Sequence, residues 1–477
     1  MSGGAGDGTA VVVGTGPNGL AAAVTLARAG VKVELYEAHG TIGGGLRTQS
    51  LFDADIEHDI CAAVHPMAAA SPFFREFGLA ARGVELLHAE ASYAHPLDGA
   101  RSAVAYRDLE RTCAGLGVDG PRWRALMGPL LERSDAVVDL VLSGPRALAH
   151  GTPAATRQFA AEPARALLAG VAAHAVGRLP SPAGAGVALL LGHLAHGSGW
   201  PLARGGSARI ADALAADITA HGGVFHTGRR IEDLRELPPA RAVLLDVAPK
   251  GLLRITGGRL PDRYRRRLGR FRYGPAAAKV DFLVSGPVPW ADPETGRALT
   301  VHLGGTQAEV YRQETLTARG VATGEPFVLL VDPAVADPGR ARPGRRPLWA
   351  YAHVPHGSTV DPYEPIRRRI ERYAPGFTDT VLAHRSVTGA AYEEYNPNYV
   401  GGDIGAGAMT LVQSLARPTA QADPYRTPLP GVYLCSASTP PGPGVHGMCG
   451  YLAARSALRR EFGVRQAPAL APAPAPA

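Results

Sequence analysis

Gly14, Gly16 and Gly19 punctuate the stretch GTGPNG, directly after the all-apolar run at 10–13 and before the helical pattern LAAAVTLARAG. Glycines at this spacing hold phosphate rather than break bonds. Gly14 turns the chain, Gly16 lets a pyrophosphate approach the backbone, and Gly19 lets the helix pack on the strand. The positive end of the helix then meets the phosphate charge. The alternating stretch VKVELYE follows and ends on Glu37, a carboxylate placed to accept from ribose hydroxyls. GxGxxG also occurs at 115–120 and 442–447, and the first of these has no strand before it and meets Pro121. The three letters alone therefore carry little. Strand, glycines, helix, strand and acid in that order are what make 10–37 a dinucleotide-binding βαβ unit.

A second glycine turn, GTIGGGLRT, places Gly43, Gly44, Gly45 and Arg47 just after that acid. Its backbone can reach the same ligand again, and Arg47 can neutralise pyrophosphate or sit beside a flavin–ribityl portion. An NAD domain has no need of this element. The GGxxR arrangement resembles the flavin amine oxidase and phytoene desaturase superfamily. That resemblance implies FAD, held noncovalently because no Cys or His matches a flavinylation site. It also implies cofactor contacts from Pro17, Asn18, Ala38, Val64, His65, Arg230 and Ala248, with the Arg230 side chain left in solvent.

The same resemblance explains CSASTPPGPGVHGMCGYLAA at 435–454, an uncharged turn between the strand GVYLC and the helical pattern MCGYLAARSAL. In the superfamily such a turn aims a helix N-terminus at the flavin. Backbone N–H groups and the helix dipole can hold the negative charge of a reduced ring without a lysine. Val445, His446 and Gly447 take that place here. Many relatives carry an Asp before the turn; this chain has Ser438, which weakens a side-chain contact there.

The segments at 61–74, 199–214, 271–290, 396–407 and 440–451 resemble one subfamily, the phytoene-desaturase-related NAD(P)/FAD-dependent oxidoreductases, and the likeness runs from residue 9 to residue 463. It implies an α/β fold with a Rossmann-like, parallel-sheet FAD-binding domain of amine-oxidase type, assembled from 9–75, 200–255 and 400–463. A second, α+β substrate domain then comes from 76–199 and 256–399, with helices over an antiparallel sheet. Residues 1–8 are expected to be flexible and the Pro/Ala tail at 464–477 disordered. Ala/Leu-rich helices within 125–195 supply either a lipophilic lining or plain core.

The reaction implied is removal of a hydride from an apolar or semi-polar organic substrate onto flavin N5, with reoxidation by oxygen or another acceptor. A polyene desaturase or ketolase, an amine oxidase, and a flavin-bearing regulatory protein with little turnover stay open. Such chemistry asks the protein chiefly for placement and dryness. Lys279, in the apolar stretch AAAKVDFLVSGPVPW, matches the amine-oxidase lysine that holds a water at N5; the alternative is a strand lysine. His65 and His446 are candidates for acid–base work, or for packing. Tyr392, Tyr395 and Tyr399 can cage an amine, Gly205 and Gly206 form a third glycine turn expected near the flavin or the substrate cavity, and Asp403 suits a turn cap better than catalysis.

The 477 residues, 46% hydrophobic and 19% charged, give core enough for two or three units. The net charge of +7 is diluted over 49.6 kDa. The arginine runs at 265–267 and 367–369 read as solvated helix faces, without the stacking aromatics of a nucleic-acid binder. Cys61, Cys113, Cys435 and Cys449 form neither CxxC pairs nor metal-ligand spacings, which fits free thiols in a cytoplasmic protein without a metal. MSGGAGDGTA has no signal-peptide pattern, and the apolar stretch at 183–195 is shorter than the ~20 residues of a membrane span. Peripheral membrane contact and the oligomeric state, a homodimer included, stay open.

Overall fold

The computed structural model describes residues 8–142 and 158–472. Strands β1 (Thr9–Val13), β2 (Lys32–Tyr36), β3 (Ala91–Leu97), β4 (Arg101–Tyr106), β5 (Val224–His226), β6 (Ala242–Leu245), β7 (Ala276–Val284), β8 (Ala298–Leu303), β9 (Val328–Val331), β10 (Arg346–Val354), β11 (Val381–Val387) and β12 (Val432–Leu434) form the two larger sheets. The helices that bear on the site are α1 (Pro17–Arg28), α2 (Pro66–Ala70), α3 (Glu162–Ala172), α4 (Pro182–His196), α5 (Gln307–Ala318), α6 (Tyr363–Tyr373) and α7 (Met448–Glu461).

The first sheet has five strands in the order β12-β6-β1-β2-β5, all parallel. Residues 10–13 are apolar throughout because both faces of β1 are covered, as parallel strands require. The alanines of α1 let it lie close to the sheet and to α7, and any side chain at Gly450 would collide with the Asn18 carbonyl. That crossing is the use of one glycine in the C-terminal stretch. The second sheet has seven strands in the order β11-β7-β10-β9-β8-β3-β4. It is antiparallel except where β8 runs parallel to β3, so the expected antiparallel sheet is mixed. Its face packs against α3, α4 and α5 through Trp200, Leu167, Leu168 and Phe327.

Two expectations are corrected here. Arg265, Arg266 and Arg267 are exposed, but Arg369 on α6 is buried and donates to the carbonyls of Leu303 (3.1 Å) and Gly304 (2.9 Å). A buried guanidinium finds the free carbonyls at the end of β8, whereas helical periodicity leaves Arg368 outside. The Pro/Ala tail is not loose where it is described. Leu470 is fully buried, its N–H donates to Glu76 (3.0 Å), and Arg28 and Arg82 hold the carbonyls of Ala469, Leu470 and Ala471. Residues 1–7, 143–157 and 473–477 lie outside the described residues. Among the described residues no helix is long and apolar enough to cross a membrane.

Candidate functional site

A cavity of about 800 Å³ runs between the carboxyl ends of the parallel strands and the face of the second sheet. Its nucleotide end is lined by Gly14, Thr15, Gly16, Pro17, Asn18, Glu37 and Ala38, with Gly44, Gly45 and Arg47 beside them. Gly14 has φ +97°, and a Cβ there would sit 2.9 Å from the Asp246 carbonyl oxygen, so the turn after β1 needs a glycine. Glu37 accepts from Thr15 N (3.0 Å), Thr15 Oγ1 (2.5 Å), His39 N (2.9 Å) and Arg47 Nη2 (3.2 Å). Arg47 also donates to Thr41 O and to the Tyr395 hydroxyl, and its guanidinium lies over the Tyr395 ring. The arginine thus joins the acid, the glycine turn and the segment at 392–399.

Val64, His65, Arg230, Val445 and His446 line the same cavity. The Arg230 side chain pairs with Glu232 and is about half exposed (48%). Asp403 also reaches the wall, but its carboxylate accepts from Gly274, Gly405 and Gly407 N–H groups and so caps a turn. Cys61 lines the cavity as a free thiol pushed up by burial.

Other expected residues stand behind the wall. Gly19 faces inward, where a Cβ would collide with Gly14 O, so its missing side chain serves helix packing. Gly43 donates its N–H to Thr15 O (3.0 Å). Ala248 gives its N–H to Asn398 Oδ1 (2.9 Å), and Val247 lines the cavity in its place. Ser438 donates its hydroxyl to Ala406 O (2.8 Å), leaving Ser436 and Ala437 on the wall. Gly447, at φ +69°, packs against Phe73 and Ala21 to start α7. Gly205 and Gly206 serve contacts with Asp337 and Thr48 rather than the cavity. Tyr392 is buried, whereas Tyr395 and Tyr399 line the cavity.

The three candidate catalytic residues change meaning. Lys279 is 1% exposed and does not line the cavity. Its ammonium donates to Asp59 O (2.7 Å) and Ile60 O (3.0 Å) and forms an ion pair with Asp281 Oδ1 (2.6 Å), behind the cavity wall. The expectation that it offers a donor to a water beside the flavin is corrected: the buried ammonium is held behind the wall by two carbonyls and a carboxylate and does not reach the cavity. His446 is committed as well. Its Nδ1 accepts the Met448 N–H (3.0 Å) and its Nε2 donates to Gly442 O (3.1 Å), so it caps the entry to α7 instead of moving protons. Burial lowers it to about 4. His65 is freer. The Ser207 hydroxyl donates to Ala62 O (2.6 Å) and must accept from His65 Nε2–H (2.8 Å), which leaves His65 Nδ1 an unprotonated acceptor with no partner among the described residues. Burial, opposed by Asp59, lowers His65 to about 4, so it is neutral at neutral pH.

The far end of the cavity holds residues that sequence reasoning missed. Thr300, Val331 and Trp349 stand in cross-strand register on β8, β9 and β10, with His302, Leu329 and Tyr351 in the next row. His174, in the turn after α3, lines the cavity and its Nε2 lies 2.9 Å from His302 Nε2. Burial drives His174 down to about 3, with His353 adding to it. The helices supply Leu142, Val187, Leu190 and Leu191 to the same chamber. The sequence signal for His302 was its place in the alternating strand ALTVHL; nothing marked His174. Asp246, one residue past β6, was also missed although it ends a parallel strand beside Gly14. Among the described residues, no group of three or more metal-ligating side chains could hold a metal ion.

Residues 12–77 match the family model for the NAD(P)-binding Rossmann-like domain. The chain carries a Rossmann-like nucleotide-binding domain. It is 24% identical to the pyridine nucleotide-disulfide oxidoreductase domain-containing protein 2 of Rattus norvegicus and to that of Mus musculus, over 94% of this chain and 93% of each relative. Among solved structures it is similar to an oxidoreductase from Methanosarcina mazei (TM-score 0.63, 16% identity, 95% of this chain and 100% of that one). A redesigned putrescine oxidase follows at TM-score 0.60 and 17% identity, covering 94% and 98% of the two chains. The cyclohexylamine oxidase of Brevibacterium oxydans IH-35A gives 0.59 and 14%, covering 97% and 100%. At these identities the likeness is one of fold: a Rossmann-like domain joined to a mixed-sheet domain, as in the amine oxidases.

Proposed function

We propose that this chain is an FAD-dependent oxidoreductase acting on an uncharged, apolar or semi-polar organic molecule. The observation that carries the reading is the continuity of one cavity, from the glycine turns at 14–18 and 44–45 to the chamber of His174, Thr300, Trp349 and Tyr351. The residues present fit a flavin dinucleotide. Gly14 and Gly16 would take the pyrophosphate, Glu37 the adenosine ribose, Arg47 and Gly45 the ribityl side, and the 443–446 turn with Val64 and His65 the ring. When bound, the flavin supplies a two-electron acceptor for a hydride, and oxygen or another acceptor takes those electrons onward.

The protein's own part is placement and exclusion of water. The chamber walls from β8, β9, β10, the turn after α3 and α4 carry no Asp, Glu, Lys or Arg; the acids that line the cavity are Glu37, Asp246, Glu393, Glu394 and Asp403. A neutral substrate suits such walls, because a buried ammonium without an acceptor is expensive. This favours oxidation of an uncharged C–H bond over amine oxidation, the activity that the putrescine and cyclohexylamine oxidases carry in their names. The test is direct. Protein purified in the dark should release FAD into the supernatant on acid precipitation, leaving a colourless pellet. Anaerobic addition of hydrophobic alcohols or polyenes should bleach its yellow absorbance, and aliphatic amines should not. Full-length protein that neither carries nor binds FAD overturns the reading.

A further inference from the structure

Asp246 stands where a phosphate would enter. Its Oδ2 accepts the Gly19 N–H at 2.9 Å, in the first turn of α1, and lies 2.8 Å from where a Cβ on Gly16 would be. That is the face of the glycine whose bare backbone lets a pyrophosphate approach. Among the described residues Oδ1 has no hydrogen-bond partner, and Asp246 lines the cavity. No cation faces it. The titratable groups around it are Glu37 after β2, Cys435 after β12 and Cys449 on α7, while Asn398 donates to its backbone carbonyl. Burial pushes the carboxyl up to about 7, the Gly19 bond opposing and the Glu37 charge assisting.

We propose that Asp246 is a proton-coupled gate on nucleotide binding: a pyrophosphate enters only beside the protonated carboxyl, so that binding takes up a proton. The inference rests on the flavin reading above and concerns how that same site is regulated. A pyrophosphate is a dianion, and a carboxylate within a few ångströms of it cannot stay ionised without a cation between them. Arg47 does not serve as that cation, because its guanidinium is held by Glu37 and Thr41. Once protonated, the carboxyl changes from a repelling charge to an O–H donor toward a phosphate oxygen. The sign follows. Below pH about 7 the carboxyl is already protonated and affinity is flat; above it, each pH unit weakens FAD binding about tenfold.

The experiment titrates full-length protein, freed of nucleotide, with FAD from about pH 6 to about pH 9 by quenching of flavin fluorescence. Calorimetry at pH about 8 in buffers of different ionisation enthalpy counts the protons taken up. Expected are a Kd that rises about tenfold per pH unit above 7 and uptake of close to one proton. Asp246→Asn, whose amide oxygen still accepts the Gly19 N–H, should give a flat profile and bind about thirtyfold tighter than wild type at pH 8.5. A flat wild-type profile without proton uptake, or the same slope in Asp246→Asn, overturns the gate and leaves FAD binding standing. Should the variant not fold, wild-type proton uptake decides alone. Absence of FAD binding at every pH overturns the flavin reading and the gate with it.

Discussion

At the nucleotide end of the cavity, charge is met by fixed backbone donors and one shared arginine; at the chamber end, charge is kept out. Thr15 and His39 N–H groups and Arg47 converge on Glu37, and Gly14, Gly16, Gly44 and Gly45 of the glycine turns line the cavity beside them. The chamber presents His174, which burial holds neutral, together with aromatic and aliphatic walls, and the buried His302 stands behind it. Its charged neighbours, Lys279 and Asp281, are paired behind the wall and tie β7 to the loop after residue 58. The difference suits the two proposed tasks. Binding a charged dinucleotide needs prepaid donors, whereas removing a hydride from a neutral molecule needs a dry wall.

The largest expected effect comes from unpairing the hidden charges. Lys279→Ala leaves Asp281 buried without a cation and should destabilise the protein by about 3–5 kcal/mol, read by urea unfolding. A Lys279→Met, Asp281→Leu double variant should recover most of that loss. If Lys279→Met alone unfolds like wild type yet slows reoxidation of photoreduced flavin by oxygen, the lysine serves the site and the division between the two ends fails. Next in size, Arg47→Ala should weaken FAD by roughly 1.5–3 kcal/mol through lost charge-assisted contacts. Unchanged flavin content with an unchanged Tm would remove Arg47 from the nucleotide end.

The neutral histidines make a smaller, graded prediction. His65 and His446 near 4 and His174 near 3 sit below their ordinary value of 6.5. The unfolded chain therefore binds protons first as pH falls. Stability is full above about 6.5 and declines toward 4, by up to about 1.4 kcal/mol per pH unit for each histidine. Thermal melts across that window should fall more gently for His302→Phe, which removes another of the buried neutral rings. The smallest effect tests the independence of the ends: His174→Phe should leave flavin content and FAD affinity within error of wild type. A marked loss of FAD would place His174 at the cofactor instead of the chamber.

Legibility followed the range of the interactions. The strand at 10–13, the turn at 14–19, Glu37 and the helix from 448 were readable because each is a local pattern: an apolar run, a glycine spacing, an acid ending a strand. Lys279 was legible as unusual but not in its role, since its two carbonyl acceptors, Asp59 O and Ile60 O, come from residues distant in the chain. For His446 the residue type left acid–base work and packing both open, because its ring bonds are local backbone contacts that residue type does not announce.

What the amino-acid sequence determined alone is the Rossmann-like βαβ unit and the glycine turns, because backbone torsions and the period of apolar residues are local physics. Only the tertiary structure decided which of those residues face the cavity, that Asp246 meets the first turn of α1, and that His174 meets His302 from another part of the chain. Those contacts are set by how strands 9–13 and 242–245 come to lie side by side and how α3 packs on the second sheet. The reason is that burial and pairing, not residue type, fix whether a titratable group is a charge, a donor or a cap.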